Sequence, residues 1–169
     1  MKIAFRTDSS SKIGSGHLMR CLALAKQLKK YQHEVLFITR SHENNFNKIL
    51  FENKMDVVLL NKKKAIYKSN NKYDNWLSVS QEEDAEDTVI SLGSMKPDWL
   101  IVDHYSINIT WEKIIRPYVK CIMVIDDLAN RKHDCDLILD QNWFGDNTSR
   151  YKNLVSKTCV SLFGPKYAL

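Results

Sequence analysis

The sequence has no apolar run long enough to serve as a signal-peptide core or as a membrane-spanning helix. Charged residues and serines interrupt the first apolar segment within a few residues, and no later segment approaches the roughly 18 apolar residues that a spanning helix requires. Internal repeats, low-complexity tracts and a disordered or collagen-like composition are also absent. These absences predict a soluble protein without a membrane span, and 169 residues fit one domain with a hydrophobic core.

Cysteine is scarce, and its spacing excludes several kinds of site. The chain contains no C-x-x-C pair, and its four cysteines are Cys21, Cys121, Cys135 and Cys159. Without a secretory signal, this scatter predicts reduced thiols and a cytoplasmic protein rather than a disulfide framework. The carboxylates and histidines match no zinc spacing, so we expect neither a metal nor another cofactor.

The net charge of +5 is compatible with a nucleic-acid partner, but the distribution of the charge argues against one. The basic residues are dispersed, and the densest cluster is only Lys62, Lys63 and Lys64, in a polar segment that is typical of a surface loop. No recognition motif accompanies the charge. We therefore expect a solvated surface and no nucleic-acid partner.

Short apolar strands alternate with amphipathic helices along most of the chain. The patterns predict strands over 2–7, 34–39, 55–60, 99–103, 121–126, 137–140 and 158–162, and helices over 17–30, 43–53, 81–92 and 108–116. Ser80 followed by Glu83 is a capping-box pattern, and Gly93 ends the same helix. The alternation predicts an α/β fold of the Rossmann-like class, with a parallel sheet covered by helices on both faces.

Polar residues follow three of the predicted strands. The clusters are Arg6 with Asp8 and the adjoining serines, Asp103 with His104 and Tyr105, and Asp126 with Asp127. In a doubly wound sheet, ligands bind outside the carboxyl ends of the strands. Because parallel strands bring these ends to one rim, the three clusters are expected to line one cleft.

The first cluster continues into the most specific local pattern, DSSSKIGSGH at positions 8–17. Gly14 and Gly16 lie just before a helix, where glycine allows close approach of the backbone to a ligand and the first N–H groups favour an anion. The loop lacks the third glycine of the Rossmann fingerprint and the G-K-[ST] of a P-loop. It suits a phosphate, or a sugar that carries one.

His17 lies in the first turn of the predicted helix. The positive end of the helix dipole disfavours imidazolium, so we expect a neutral ring that can act as a general base. The alternative is a histidine that only caps or packs the helix start. Asp8 is expected to orient His17, to hold sugar hydroxyls or to serve turn chemistry, and Ser9 and Ser10 to serve turn chemistry.

Two aromatic residues are candidates for the cleft. Tyr105 is expected either to hydrogen-bond to or stack on a sugar, or to be a half-buried loop residue. Trp76 is a candidate for the flank of the cleft, whereas the other tryptophans fit core or rim packing. No Ser-His-Asp or Cys-His arrangement is recognisable from the spacing.

Five segments carry a family resemblance, and in chain order they read FRTDSSSKIGSGHLMRCLALA, WLSVSQEEDAEDT, DWLIVDHYSI, VIDDLANRKHDCDLILDQN and FGPKYAL. Together they resemble the PseG family, the UDP-2,4-diacetamido-2,4,6-trideoxy-β-L-altropyranose hydrolases of pseudaminic acid biosynthesis. D-S-S-S-x-x-G-x-G-H combined with D-H-Y is more specific than any single glycine motif. The chain is similar, more distantly, to the N-terminal half of the peptidoglycan N-acetylglucosaminyl transferase with the GT-B fold.

The resemblance implies a two-domain GT-B-type enzyme in which residues 1–163 form the N-terminal Rossmann-like domain. Residues 164–169 would begin the connection to a missing C-terminal domain that holds most of the UDP. The implied reaction is hydrolysis of the bond between the anomeric carbon and the UDP oxygen of a UDP-sugar, with inversion and without a required metal. We expect the 169 residues alone to fold and to have little or no hydrolase activity.

The resemblance also implies roles for individual residues. His17 would be the base that activates water, and Tyr105 would line the sugar site. Gly14, Ser15 and Gly16 would approach the sugar or the diphosphate.

Three further candidates for substrate binding come from the predicted strand ends, namely Arg6, Asp8 and Asp103. Two other functions stay open. One is a glycosyltransferase of the same fold, in which an acceptor hydroxyl replaces water. The other is a non-catalytic module that binds a sugar phosphate.

Overall fold

The computed structural model describes residues 1–61, 73–145 and 149–169. The strands are β1 (Lys2–Thr7), β2 (Glu34–Arg40), β3 (Asp56–Leu60), β4 (Trp99–Asp103), β5 (Cys121–Ile125), β6 (Leu137–Asp140) and β7 (Val160–Phe163). The α-helices are α1 (Gly16–Lys30), α2 (Lys48–Glu52), α3 (Gln81–Leu92) and α4 (Ile109–Ile115). These seven strands form one parallel sheet of order β3-β2-β1-β4-β5-β6-β7. The predicted Rossmann-like α/β class is confirmed.

Each face of the sheet packs against its own apolar core. In β1, Ile3 and Phe5 belong to one core and Ala4 to the other, because successive side chains of a strand point to opposite faces. The first core includes Leu50 of α2 and the apolar stripe of α1, and the second includes Trp111 of α4 and apolar residues of α3. Burial on both faces explains why the strands are continuous apolar runs.

The direction in which strands are added to the sheet reverses beside β1. The chain passes outward from β1 through β2 to β3, and β4 then pairs with the other side of β1. At such a switch point, the connections leave the carboxyl ends of the two central strands in opposite directions and open a crevice. The fold therefore places a potential ligand site at the ends of β1 and β4.

The predicted capping of α3 is confirmed. Oγ of Ser80 accepts a hydrogen bond from the backbone N–H of Glu83 at 3.1 Å, and Gly93 follows the helix with a φ of 53°. The predicted bounds of most other elements agree with the structure within one or two residues. No helix within the described ranges is both long and apolar enough to cross a bilayer. The lysine cluster at 62–64 lies outside the described residues.

The predicted helix over 43–53 is wrong in its extent, since α2 occupies only 48–52. Asn44 adopts a left-handed φ of 51°, and the backbone N–H of Phe46 donates to Oγ of Ser9 at 3.1 Å. Hydrogen bonds to side chains compete with the helical pattern. The segment before α2 is therefore bonded to the loop after β1 instead of forming a helix.

Candidate active site

A cavity of about 520 Å³ opens at the crevice between the ends of β1 and β4. Its lining comes from the loop after β1, the start of α1, and segments that follow β3, β4, β6 and β7. The lining residues are Ile13, Gly16, His17, Met19, Arg20, Trp76, Tyr105, Gln141 and Leu169. The volume is typical of a site for a small molecule.

His17 is the second residue of α1, and its ring is part of the lining with only 7% of the residue exposed. Nδ1 of the ring lies 2.5 Å from Oδ1 of Asp103. An ionised carboxylate only accepts hydrogen bonds, so Nδ1 carries the proton in this pair. Nε2 is then the basic nitrogen of the ring, and it is the one that can accept a proton from a ligand or from water.

Asp103 ends β4 and is completely buried. Arg20 holds its carboxylate from the other side, with Nε 2.5 Å from Oδ2 and Nη2 2.6 Å from Oδ1. Burial by itself would raise the pKa of Asp103, but attraction to His17 and the bonds from Arg20 outweigh it, so the pKa lies below its ordinary value. The buried carboxylate of Asp103 therefore orients His17, and contact of Asp103 with substrate stays a prediction.

Arg20 is a site residue that the sequence reasoning missed. It lines the cavity and clamps Asp103, and its Nη1 lies 3.6 Å from Oδ2 of Asp127. A usable signal was present, since Arg20 follows His17 by three residues and side chains with this spacing share a helix face. No pattern in the sequence marks Ile13, Met19, Gln141 or Leu169.

Two stacked aromatic rings form a wall beside His17. The ring of Tyr105 lies edge-on to the imidazole, with centroids 4.5 Å apart. Trp76 stacks on Tyr105 at 5.6 Å and lies 5.9 Å from His17. The Tyr105 hydroxyl donates to Oδ1 of Asp127 at 2.5 Å, and burial together with this bond raises the pKa of Tyr105. The hydroxyl is thus hydrogen-bonded to Asp127, and we take the ring to be the part of Tyr105 that is available to a ligand in the cavity.

The glycine-rich loop has one position where glycine is required by conformation. Gly14 has a φ of 84°, and its N–H donates to the carbonyl of Ser10 at 2.7 Å. Oγ of Ser10 accepts from the backbone N–H of Ile13 at 3.1 Å, which confirms turn chemistry for this serine. Gly16 lines the cavity, whereas Gly14 and Ser15 lie next to the lining without being part of it. Ligand contact by the latter two stays a prediction.

Arg6 and Asp8 form a buried ion cluster, and neither residue is part of the cavity lining. Both are completely buried, and Nη1 of Arg6 lies 2.5 Å from Oδ1 of Asp8. Asp84 of α3 accepts from Nη2 of Arg6 at 2.7 Å. Residues 6 and 8 share the face of β1 that packs on α3, because side chains alternate along a strand. Asp8 does not orient His17, because Nδ1 of His17 pairs with Asp103 instead. Substrate contact by Arg6 and Asp8 stays a prediction.

The carboxylates that follow β5 have structural partners. Asp126 accepts from the N–H of Ala129 at 3.0 Å and pairs with Arg131 at 2.8 Å, so it fixes the loop after its strand. In the part of the chain that is described, no three His, Cys, Asp or Glu side chains are grouped to hold a metal ion.

Two curated relatives match the whole chain, whereas no family model matches it. One is the UDP-2,4-diacetamido-2,4,6-trideoxy-β-L-altropyranose hydrolase of Campylobacter jejuni, which is 32% identical over 171 residues. The other is an uncharacterized protein of Methanocaldococcus jannaschii, which is 28% identical over 173 residues. The chain spans 52% of the first protein and 31% of the second.

Several solved structures share the fold, and two of them serve as examples. MurG of Acinetobacter baumannii has a TM-score of 0.54 and 10% identity over 83% of this chain and 40% of that one. The N-terminal domain of trehalose-6-phosphate phosphatase of Candida albicans has a TM-score of 0.52 and 14% identity. The match covers 90% of this chain and 41% of that one. At such low identity these likenesses concern the fold alone. In sequence, the chain is thus similar over its whole length to a protein named as a hydrolase of a UDP-linked deoxy sugar.

Proposed function

We propose that this chain is the base-bearing, N-terminal half of an inverting hydrolase of a UDP-linked 2,4-diacetamido-2,4,6-trideoxy sugar, acting in pseudaminic acid biosynthesis in the cytoplasm. One observation carries the proposal: His17 lines the cavity at the switch point while Asp103 fixes its Nδ1 at 2.5 Å. A buried carboxylate behind a cavity-lining imidazole is an arrangement suited to general-base catalysis. The name of the Campylobacter jejuni relative supports the choice of substrate.

In the proposed reaction, Nε2 of His17 takes a proton from a water molecule as the water oxygen attacks the anomeric carbon. The bond between that carbon and the UDP oxygen breaks, and UDP leaves with the electron pair. Asp103 stabilises the imidazolium that forms, and Arg20 keeps Asp103 ionised and in place. His17 then returns its proton to solvent, which completes the hydrolysis of the UDP-sugar to free sugar and UDP.

The start of α1 is suited to the leaving group. Its axis begins at Gly16, at the cavity, and Ser15 caps it without a side-chain hydrogen bond. Unpaired N–H groups and the helix dipole favour a diphosphate at such an end. Gly14, Ser15 and Gly16 are the backbone that we propose approaches the diphosphate or the sugar.

Most of the nucleotide is proposed to bind a second domain that follows residues 164–169. The chain spans about half of the Campylobacter jejuni relative, so a protein of that length has room for another domain. No cofactor takes part in the proposed reaction. The 169 residues alone are accordingly expected to release little or no UDP.

The proposal is tested with the full-length protein encoded by the gene that carries these residues. Incubation with the UDP-linked diacetamido sugar is expected to give UDP and free sugar, with inverted configuration in the first-formed product by NMR. A glycoside in the presence of an acceptor would support a glycosyltransferase instead. Binding without turnover would support a sugar-phosphate-binding module, and either outcome would overturn the hydrolase proposal.

Substitutions at Tyr105 separate the contribution of the ring from that of the hydroxyl. Tyr105→Phe keeps the ring, and Asp127 is 17% exposed and also accepts from Asn142 at 3.2 Å, so we expect KM within about threefold of the parent. Tyr105→Leu removes the ring that stacks on Trp76, and we expect KM to rise roughly tenfold, or about 1.4 kcal/mol. Steady-state kinetics of UDP release measure both. An equal rise in KM in the two variants would contradict a role for the ring.

A further inference from the structure

Two of the four cysteines meet at the edge of the sheet farthest from β3. Cys135 precedes β6 and Cys159 directly precedes β7, and their Sγ atoms lie 3.6 Å apart although 24 residues separate them in sequence. Both thiols are free. Cys21 is buried beside Asp103, with Sγ 3.6 Å from its Oδ2, and takes no part in this pair.

The backbone holds the two cysteines in place. The N–H of Val160 donates to the carbonyl of Asp136 at 2.9 Å, and Leu137 pairs with Val160 in the parallel ladder. A disulfide requires the sulfurs to approach to about 2.05 Å. Since the sheet already fixes both chain segments, side-chain rotation is the main movement that this approach requires.

The two thiols differ in access and acidity. Cys135 is 4% exposed, whereas Cys159 is partly exposed. The hydrogen bond from Cys135 lowers the pKa of Cys159, and the same pairing together with burial raises the pKa of Cys135. An attacking thiol needs both access and thiolate character. Cys159 therefore meets the requirements of the first nucleophile, and Cys135 those of a resolving thiol.

We propose that Cys135 and Cys159 form a redox modification site. Exchange with a small-molecule disulfide such as oxidised glutathione creates a disulfide bond between these two cysteines. The Cys159 thiolate attacks one sulfur of the reagent, forms a mixed disulfide and releases one glutathione thiolate. The Cys135 thiol then loses its proton, attacks Sγ of Cys159 and expels the second glutathione. The two protein thiols are oxidised to one disulfide, the reagent is reduced to two thiols, and the two protons end on the released thiols.

The bond would tie the segment before β7 to the sheet. That segment includes Tyr151, whose buried hydroxyl lies 3.0 Å from the Asp126 carbonyl and 3.2 Å from Oδ2 of Asp140. The cysteines lie at the amino ends of β6 and β7, whereas the cavity lies at the carboxyl ends of the strands. We therefore expect oxidation to raise the melting temperature by roughly 5–10 °C and to leave the cavity unchanged.

The test treats the native full-length protein with oxidised glutathione and maps the cysteine-containing peptides by mass spectrometry under non-reducing conditions. The parent is expected to yield a peptide that links residues 135 and 159, and dithiothreitol is expected to reverse the link. Cys135→Ser is expected to stop at glutathione retained on Cys159, because the resolving thiol is missing. Cys121→Ser is the matched control, and it should form the same linked peptide as the parent.

Three results would overturn the proposal. These are a parent protein in which residues 135 and 159 stay unlinked, a preferred link between another cysteine pair, and equal reactivity of all four thiols. The parent alone decides the first two, so the test does not depend on the folding of a variant. A repeat in urea supplies the reference for unselective reaction, because unfolding separates the two sulfurs.

Discussion

Replacing His17 with glutamine is expected to lower kcat for UDP-sugar hydrolysis by about 100- to 10,000-fold, the usual range for loss of a general base. The amide is similar in reach to the imidazole but does not take up a proton near neutral pH. Because the cavity and its aromatic wall remain, the substrate dissociation constant is expected to stay within about threefold of the parent. Single-turnover release of UDP and calorimetric binding measure the two quantities separately.

His33→Gln is the matched control for this substitution. His33 precedes β2 at the amino end of the sheet, beside the chain terminus, with Nδ1 3.4 Å from the terminal amine. The same chemical change there is expected to leave kcat within about twofold of the parent. If His17→Gln turned substrate over like the parent, the mechanism would be wrong. If it lost binding as well as turnover, His17 would be a ligand-binding residue rather than a base.

The largest expected effect on stability comes from Asp84. Its carboxylate is completely buried and accepts from Nε of Arg6 at 3.0 Å, Nη2 of Arg40 at 2.7 Å and Nε1 of Trp111 at 3.0 Å. Asp84→Asn keeps the shape but leaves two buried guanidinium groups without their shared counter-charge. We expect the free energy of unfolding to fall by about 3–5 kcal/mol, as measured by urea denaturation.

Asp87→Asn is the matched control on the same helix. Asp87 also pairs with Arg40, at 2.9 Å, but its side chain is 26% exposed. Because water can replace a partly exposed partner, the expected loss is below about 1 kcal/mol. An equal fall in the free energy of unfolding in the two variants would mean that burial does not determine how much each carboxylate contributes to stability.

The same cluster predicts how stability changes with pH. Burial would raise the pKa values of Asp8 and Asp84, but attraction to Arg6 and the hydrogen bonds that the two carboxylates accept together outweigh it and lower both. A carboxylate with a lowered pKa stabilises the fold above its unfolded-state pKa of about 4, and this contribution disappears as the pH falls through the lowered value. In Asp84→Asn, the free energy of unfolding is therefore expected to fall less steeply below about pH 4 than in the parent.

Local sequence patterns were sufficient to predict the elements and the class of the fold. The short apolar runs, the 3.6-residue period, the Ser80 cap and the Gly93 stop are local properties of the chain, so they identify strands and helices directly. Strand ends in a parallel sheet meet at one rim, and for that reason the rim position of His17 and Tyr105 also followed from the order of elements. The helix before β3 was overestimated, because its asparagine-rich start has bonds to a distant loop.

The carboxylate that orients His17 could not be identified without the packing of the whole fold. Asp8 is near in sequence, yet it lies on the face of β1 that packs against α3, whereas Asp103 comes from 86 residues away. The positions of Arg20 and Trp76 against this pair depend on how α1 and the segment before α3 pack at the switch point. Contacts between segments so distant in sequence are set by the packing of the whole sheet, so local sequence patterns do not predict them.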